Sequence, residues 1–273
     1  MTEGPAAATV IADAIRHLSD AFRPVLYAEE GSAGRRTTGT AFVVEDDERR
    51  LVVTAKHVLR GCEQKYFGVV GQNTVKWPRR YSTLEALQPG LPDADLAWAS
   101  ATVAKDDEAL AAAIPIALTK ADLCEQTGSA YVAVGFPTSK AKLRDAQAVL
   151  HAKLMAAVVE LAPAAHCSQL GLHPQVQMGL TYSQHDRTDL LGDPTVGAVP
   201  TGMSGGAVFA LMKALTTDGS EHAVPFLVGV LTEFHEQENT LVATRIKHLW
   251  TAIGAWPQPE PPLYRRCLTD RCC

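Results

Sequence analysis

No stretch of this 273-residue chain approaches the roughly 18 consecutive apolar residues that a membrane-crossing helix needs. Basic residues are in the minority, with 25 Lys and Arg against 30 Asp and Glu and a net charge of −5. A nucleic-acid partner would want a basic stripe. Arg35-Arg36 and Trp77-Pro78-Arg79-Arg80 are too short for one and read as solvated loops. Cysteine is sparse and scattered: Cys62, Cys124, Cys167, Cys267, Cys272 and Cys273 do not form a disulfide framework in a chain this long. Neither the crowded carboxyl-terminal cysteines nor His166-Cys167 with His173 has the spacing of a zinc site. No metal and no cofactor is therefore expected. Met1-Thr2-Glu3-Gly4-Pro5 lacks the basic region and following apolar stretch of a secretory leader, which favours the cytosol. The terminal Cys272-Cys273 is similar to a double-prenylation ending, but the Ala-rich composition leans bacterial and argues against lipidation. There is no internal repeat.

What the sequence does contain is a serine between glycines, Gly202-Met203-Ser204-Gly205-Gly206, placed just before the apolar run Ala207-Val208-Phe209-Ala210. Glycines let the backbone turn tightly, so that N–H groups converge beside a protruding hydroxyl. Serine is a weak nucleophile until a base takes its proton. Histidine does this near neutral pH, and a carboxylate fixes its tautomer and stabilises the imidazolium. Both partners lie upstream. His57 ends Thr54-Ala55-Lys56-His57, after the strand-like run Arg50 to Ala55. Asp95 opens Asp95-Leu96-Ala97-Trp98-Ala99. Asp93 competes for the carboxylate role, but it reads as a turn residue after Pro92, and the apolar pair after Asp95 suits a strand entering the core. The order His, Asp, Ser matches one of the known triad solutions and excludes the hydrolase-fold esterases, in which serine comes first.

On these residues the chain resembles the trypsin-like (chymotrypsin-fold) serine peptidases, in particular their bacterial, disulfide-poor branch. Thr54-Ala55-Lys56-His57, Asp95-Leu96-Ala97 and Gly202-Met203-Ser204-Gly205-Gly206 match the family's three boxes in its order. Gly39-Thr40-Ala41-Phe42-Val43 is similar to the strand that runs into the histidine hairpin. Tyr131-Val132-Ala133-Val134-Gly135-Phe136-Pro137 is similar to the first long strand of the second barrel. The resemblance implies His57 as general base and acid, Asp95 as its orienting group and Ser204 as nucleophile. The N–H groups of Gly202 and Ser204 would form the oxyanion hole. Two departures matter. Met203 stands where secreted digestive relatives carry an acid that pairs with a freed amino terminus, so the oxyanion hole should be preformed or switched by something else. Val58 stands where many secreted relatives have a cysteine.

The resemblance also points to pocket residues. Ala198, six before the serine, supplies no acid for a Lys or Arg preference, so a small or medium apolar residue before the cut is the default. Leu227 to Phe234 matches the wall strand; there Thr232 would present its backbone near the acid, and Glu233 would face either cleft or solvent.

The expected fold is mainly β: two packed antiparallel six-stranded barrels with an amino-terminal and a carboxyl-terminal helix. Ile11, Ile15, Leu18 and Phe22 form one stripe of a helix over residues 8–22, ended by Pro24. Short β-branched runs between Gly, Pro and charge clusters suit a first barrel over residues 25–115. Acids at Asp106-Asp107-Glu108 suit the start of a short helix between the barrels. A second barrel with its closing helix spans 116–255. Within it, Ala146 to Val159 is helix by propensity but a strand pair by resemblance, and residues 163–200 read as loops. Ile246, Leu249, Trp250 and Ile253 share one helical face over 244–253. A Pro-rich linker and Cys-containing tail occupy 256–273. The functional expectation is an intracellular endopeptidase of bacterial signalling or defence type, acting on a protein or peptide and regulated by a partner protein. Neither nucleic acid nor membrane is expected as a partner. The alternative is a trypsin-fold binding module that has lost activity.

Overall fold

The computed structural model describes residues 18–28, 35–45, 49–60, 65–67, 75–76, 81–84, 94–100, 115–117, 130–138, 141–144, 149–189, 199–215 and 221–254. These fall into two β halves. The first holds β1 (Phe22–Ala28), β2 (Arg35–Glu45), β3 (Arg50–Thr54), β4 (Lys65–Phe67), β5 (Val75–Lys76), β6 (Ser82–Thr83), β7 (Ala97–Ser100) and β8 (Ile116–Ala117). They form one sheet in the order β5-β4-β1-β2-β3-β7-β6, with β8 added parallel to β2 at Val44↔Ile116. The second half holds β9 (Ala130–Gly135), the hairpin β10 (Ala141–Arg144) and β11 (Val149–Ala152), then β12 (Met155–Leu161), β13 (Gln177–Asp189), β14 (Ala207–Leu215), β15 (Glu221–His235) and β16 (Thr240–Arg245). Six of these close an antiparallel barrel, β12-β13-β16-β15-β14-β9. The mainly β, chymotrypsin-like architecture expected from the sequence is the one observed.

Period-two alternation explains why the two halves pack. On β2 and β3, Phe42, Val44, Leu51 and Val53 face a core shared with Val132, Val134, Phe209 and Trp250 of the second half. Their neighbours Ala41, Val43 and Val52 face a separate cluster with Val58, Leu59 and Ala97. The barrel interior has its own cluster, including Met155, Leu180, Tyr182, Met203 and Leu231. Phe22 touches both halves, with ring centroids 5.7 Å from Phe42 and 6.4 Å from Phe209. Burying an aromatic of this kind is worth roughly 1.5–3 kcal/mol, so the junction itself is a substantial part of the core.

Three local expectations change. Residues 8–17 of the amino-terminal helix lie outside the described residues, but the described part is not α-helical. Ser19–Ala21 is a single 3-10 turn, and Phe22 already opens β1. Pro24 therefore sits within a strand, just before the stretch Val25–Tyr27 that pairs with β4. Of the four apolar residues at helical spacing, Leu18 and Phe22 pack on the shared core, and Ile11 and Ile15 lie outside the described residues. Second, residues 163–200 are not all loop: α1 (Ala164–Gln169) and β13 occupy much of the span. Third, Thr244 and Arg245 finish β16, and the closing helix α2 (Lys247–Ala252) begins after them, burying Leu249 and Trp250. Over 146–159 the strand reading holds where the chain is described, since β11 and β12 lie there. The helix expected at 106–113 and the tail at 256–273 lie outside the described residues. Among the described residues no helix is long and apolar enough to cross a membrane.

Candidate active site

His57 sits on a 3-10 turn, Lys56–Leu59, directly after β3. Asp95 lies two residues before β7. Strands β3 and β7 are antiparallel with Thr54 opposite Ala97. Carrying that register two residues further places Asp95 opposite Lys56, and the Lys56 N–H does reach the Asp95 carbonyl at 3.4 Å. The sheet register thus delivers the carboxylate to the neighbouring histidine. One Asp95 oxygen accepts the His57 backbone N–H at 2.9 Å, and the other meets His57 Nδ1. A carboxylate on Nδ1 puts the ring proton there and leaves the Nε2 lone pair available. Nε2 has no hydrogen-bond partner among the described residues. The two side chains are 35% and 22% exposed, so the pair is reachable without being fully solvated. Asp93, the competing acid, lies outside the described residues.

Ser204 stands on the turn between Pro200 and β14. The Met203 N–H closes the turn on the Pro200 carbonyl at 2.9 Å, and Gly202, third of its four residues, has φ +93°. That combination is a type II turn, which only glycine fills without strain. The Thr138 N–H donates to the Thr201 carbonyl at 2.7 Å. Because the peptide is trans and planar, the Gly202 N–H must point the opposite way. Neither the Gly202 nor the Ser204 N–H has a partner among the described residues. Two free donors beside a serine hydroxyl are what an oxyanion would use. The hydroxyl itself donates to the Thr232 carbonyl at 3.1 Å.

The turn is fixed from both sides. Its Ser204 carbonyl accepts the Thr40 N–H at 2.7 Å, and the Thr40 carbonyl accepts the Thr54 hydroxyl at 2.7 Å, on the strand leading to His57. From the second half, the Gly205 N–H reaches the Leu231 carbonyl at 2.6 Å, and the Leu231 N–H returns to the Gly206 carbonyl at 2.8 Å. Met203 is 1% exposed and packs in the barrel interior against Gly135. An apolar plug therefore occupies the place where an acid would need a cationic partner. Gly39 fits between the His57 and Ser204 segments: a Cβ there would lie 2.6 Å from both γ-carbons of Val58 and 2.9 Å from the Ser204 carbonyl.

Of the expected pocket residues, Ala198 lies outside the described residues. Thr232 is buried, and the structure brings its carbonyl to the Ser204 hydroxyl while its own hydroxyl donates to Val242 at 3.2 Å. The Glu233 side chain is 55% exposed and lies 3.3 Å from His235 Nε2. Sequence reading missed Thr40 and Thr138 as contributors. Thr40 belongs to a box it had singled out, but only as a strand. Among the described residues no three His, Cys, Asp or Glu side chains gather as a metal site.

A family model described as trypsin-like peptidase domain matches residues 39–215, well over half of the chain. The matched span contains His57, Asp95 and Ser204. No curated protein matches the sequence.

Proposed function

Because this chain belongs to the trypsin-like peptidase family, we propose that it is a serine endopeptidase whose triad is Ser204, His57 and Asp95. The observation that carries the reading is the Asp95 carboxylate bonded to both His57 Nδ1 and the His57 backbone N–H, with ring Nε2 left open. In this reading Ser204 Oγ leaves its bond to Thr232 and attacks the scissile carbonyl. His57 Nε2 takes the hydroxyl proton, and Asp95 stabilises the imidazolium. Negative charge on the carbonyl oxygen is met by the Gly202 and Ser204 N–H groups. The imidazolium then protonates the departing amine as the C–N bond breaks, leaving an acyl-enzyme. Water, deprotonated by His57, hydrolyses that ester and restores the serine.

The buried Met203 supports a site that forms without an ion pair to a freed amino terminus. We further infer an intracellular enzyme of bacterial signalling or defence type under the control of a partner protein. This rests on the resemblance and on the composition. Treatment with a fluorophosphonate probe tests the central claim. Wild type labels at Ser204, and Ser204→Ala does not label and loses about 10⁶-fold in peptide hydrolysis. A folded wild-type protein that resists the probe, with or without candidate activators, overturns the reading in favour of the inactive binding module.

A further inference from the structure

Thr40 is fully buried on β2, in the first half of the molecule, yet its hydroxyl is spent entirely on the second half. It accepts the Phe136 N–H at 2.8 Å, just past the end of β9. It donates to the Gly202 carbonyl at 3.2 Å. A hydroxyl has one proton to give. With a lone pair occupied by Phe136, the rotor is set and the proton points at Gly202. The oxyanion turn is then gripped at three of its carbonyls, those of Thr201, Gly202 and Ser204. Thr138 N–H holds the Thr201 carbonyl, the Thr40 hydroxyl holds the Gly202 carbonyl, and Thr40 N–H holds the Ser204 carbonyl.

These grips bear on the one freedom that would spoil the site. A type II turn becomes type I when its central peptide rotates by about 180°, which turns the Gly202 N–H away from an incoming oxygen. Rotation of the Thr201–Gly202 peptide changes the torsions on either side of it, including that of Gly202. The Thr40 bond on the Gly202 carbonyl resists that change from one flank, and the Thr138 bond on the Thr201 carbonyl resists it directly. No charged group takes part.

We propose that the Thr40 hydroxyl is a positioning residue that keeps the oxyanion turn in its donor-out form, so that the docking of the two halves itself arms the site. The proposal deepens the serine-peptidase reading and rests on it. Thr40→Val keeps the shape and removes the proton. It slows fluorophosphonate labelling of Ser204, in which an O–P bond forms, fluoride leaves and the serine proton passes to His57. The expected slowing is about 10- to 100-fold, a fraction of what losing a whole oxyanion donor costs. For a peptide substrate the loss falls on kcat with KM little changed, because the donors act on charge that develops in the transition state. Thr40→Ser, which restores the hydroxyl without the methyl, returns to within about threefold of wild type.

Equal labelling of Thr40→Val and wild type overturns the proposal. So does a Thr40→Ser as slow as Thr40→Val, which would assign the effect to methyl packing. Should Thr40→Val not fold, Thr40→Ala carries the same test. If neither folds while Thr40→Ser does, the hydroxyl is structural and the proposal fails. A wild type that does not label at Ser204 sinks the enzymatic reading instead. The grip is then read by amide exchange at Met203, whose N–H closes the turn. Exchange there is at least about tenfold faster in Thr40→Val than in Thr40→Ser if the grip is real, and equal in the two if it is not.

Discussion

The two parts of the proposed triad are held in contrasting ways. The His57–Asp95 pair is made within one sheet. Adjacent strands β3 and β7 run antiparallel, and the pair is the next rung beyond their ladder, with the backbone at Lys56 and His57 bonded to Asp95. Among the described residues, no hydrogen bond from the second half joins this pair. The Ser204 turn is made at a junction. Its amides and carbonyls reach Thr40 in the first half and Thr138 and Leu231 in the second. An acid–base pair assembled by register is a local product of folding, whereas a nucleophile held at a seam is correct only when both halves have docked. Readiness of the site is thus tied to the docking of the two halves.

Substitutions on either side of this contrast separate the two modes. Asp95→Asn has the larger effect. The amide oxygen still accepts the His57 backbone N–H, so the loop keeps its shape, while the amide NH₂ faces Nδ1 and enforces the wrong tautomer. A loss of about 10⁴-fold in kcat with an almost unchanged Tm is expected. A loss below a hundredfold would remove Asp95 from the orienting role. Gly202→Ala attacks the seam. A methyl there meets the Thr138 amide nitrogen at 2.7 Å, on a backbone with φ +93° that alanine disfavours. Steady-state kinetics should show kcat down by about 10²- to 10³-fold through loss of one oxyanion donor. Near-normal turnover would mean that the turn tolerates its other form. The smallest effect belongs to Glu233→Gln, on the wall strand but held by neither device. With more than half of the side chain in solvent, its charge is screened, and the change alters stability by less than about 1 kcal/mol. Paired Lys- and Leu-containing peptides should be cleaved in nearly the same ratio by both proteins. A tenfold shift away from Lys would place Glu233 against the substrate.

How much of this could be read from the sequence follows the same divide. His57, Asp95 and Ser204 stand in short boxes whose residues suit their chemistry, and the apolar pair after Asp95 did mark a strand, β7. The strand over 177–189 was hidden by the Gly, Pro and His residues before it, although Met178, Leu180 and Tyr182 alternate and all three are buried. The stripe of Leu18 and Phe22 misled because a spacing of four positions is shared by a helix and by a turn running into a strand. The grips on the oxyanion turn left no pattern at all. They bind backbone carbonyls to residues distant in the chain, the Thr40 hydroxyl reaching Gly202 across 162 positions, and backbone atoms are the same in every residue.

Gly39 carries a final consequence. It is the thickness of the wall between the His57 segment and the Ser204 segment, and the wall is one bare backbone thick. The smallest added carbon would act as a wedge, pushing Val58 and with it the adjoining imidazole away from the Ser204 segment. The gauge of the cleft is therefore a matter of steric bulk at a single buried point, a mechanical tolerance that ionic strength leaves alone.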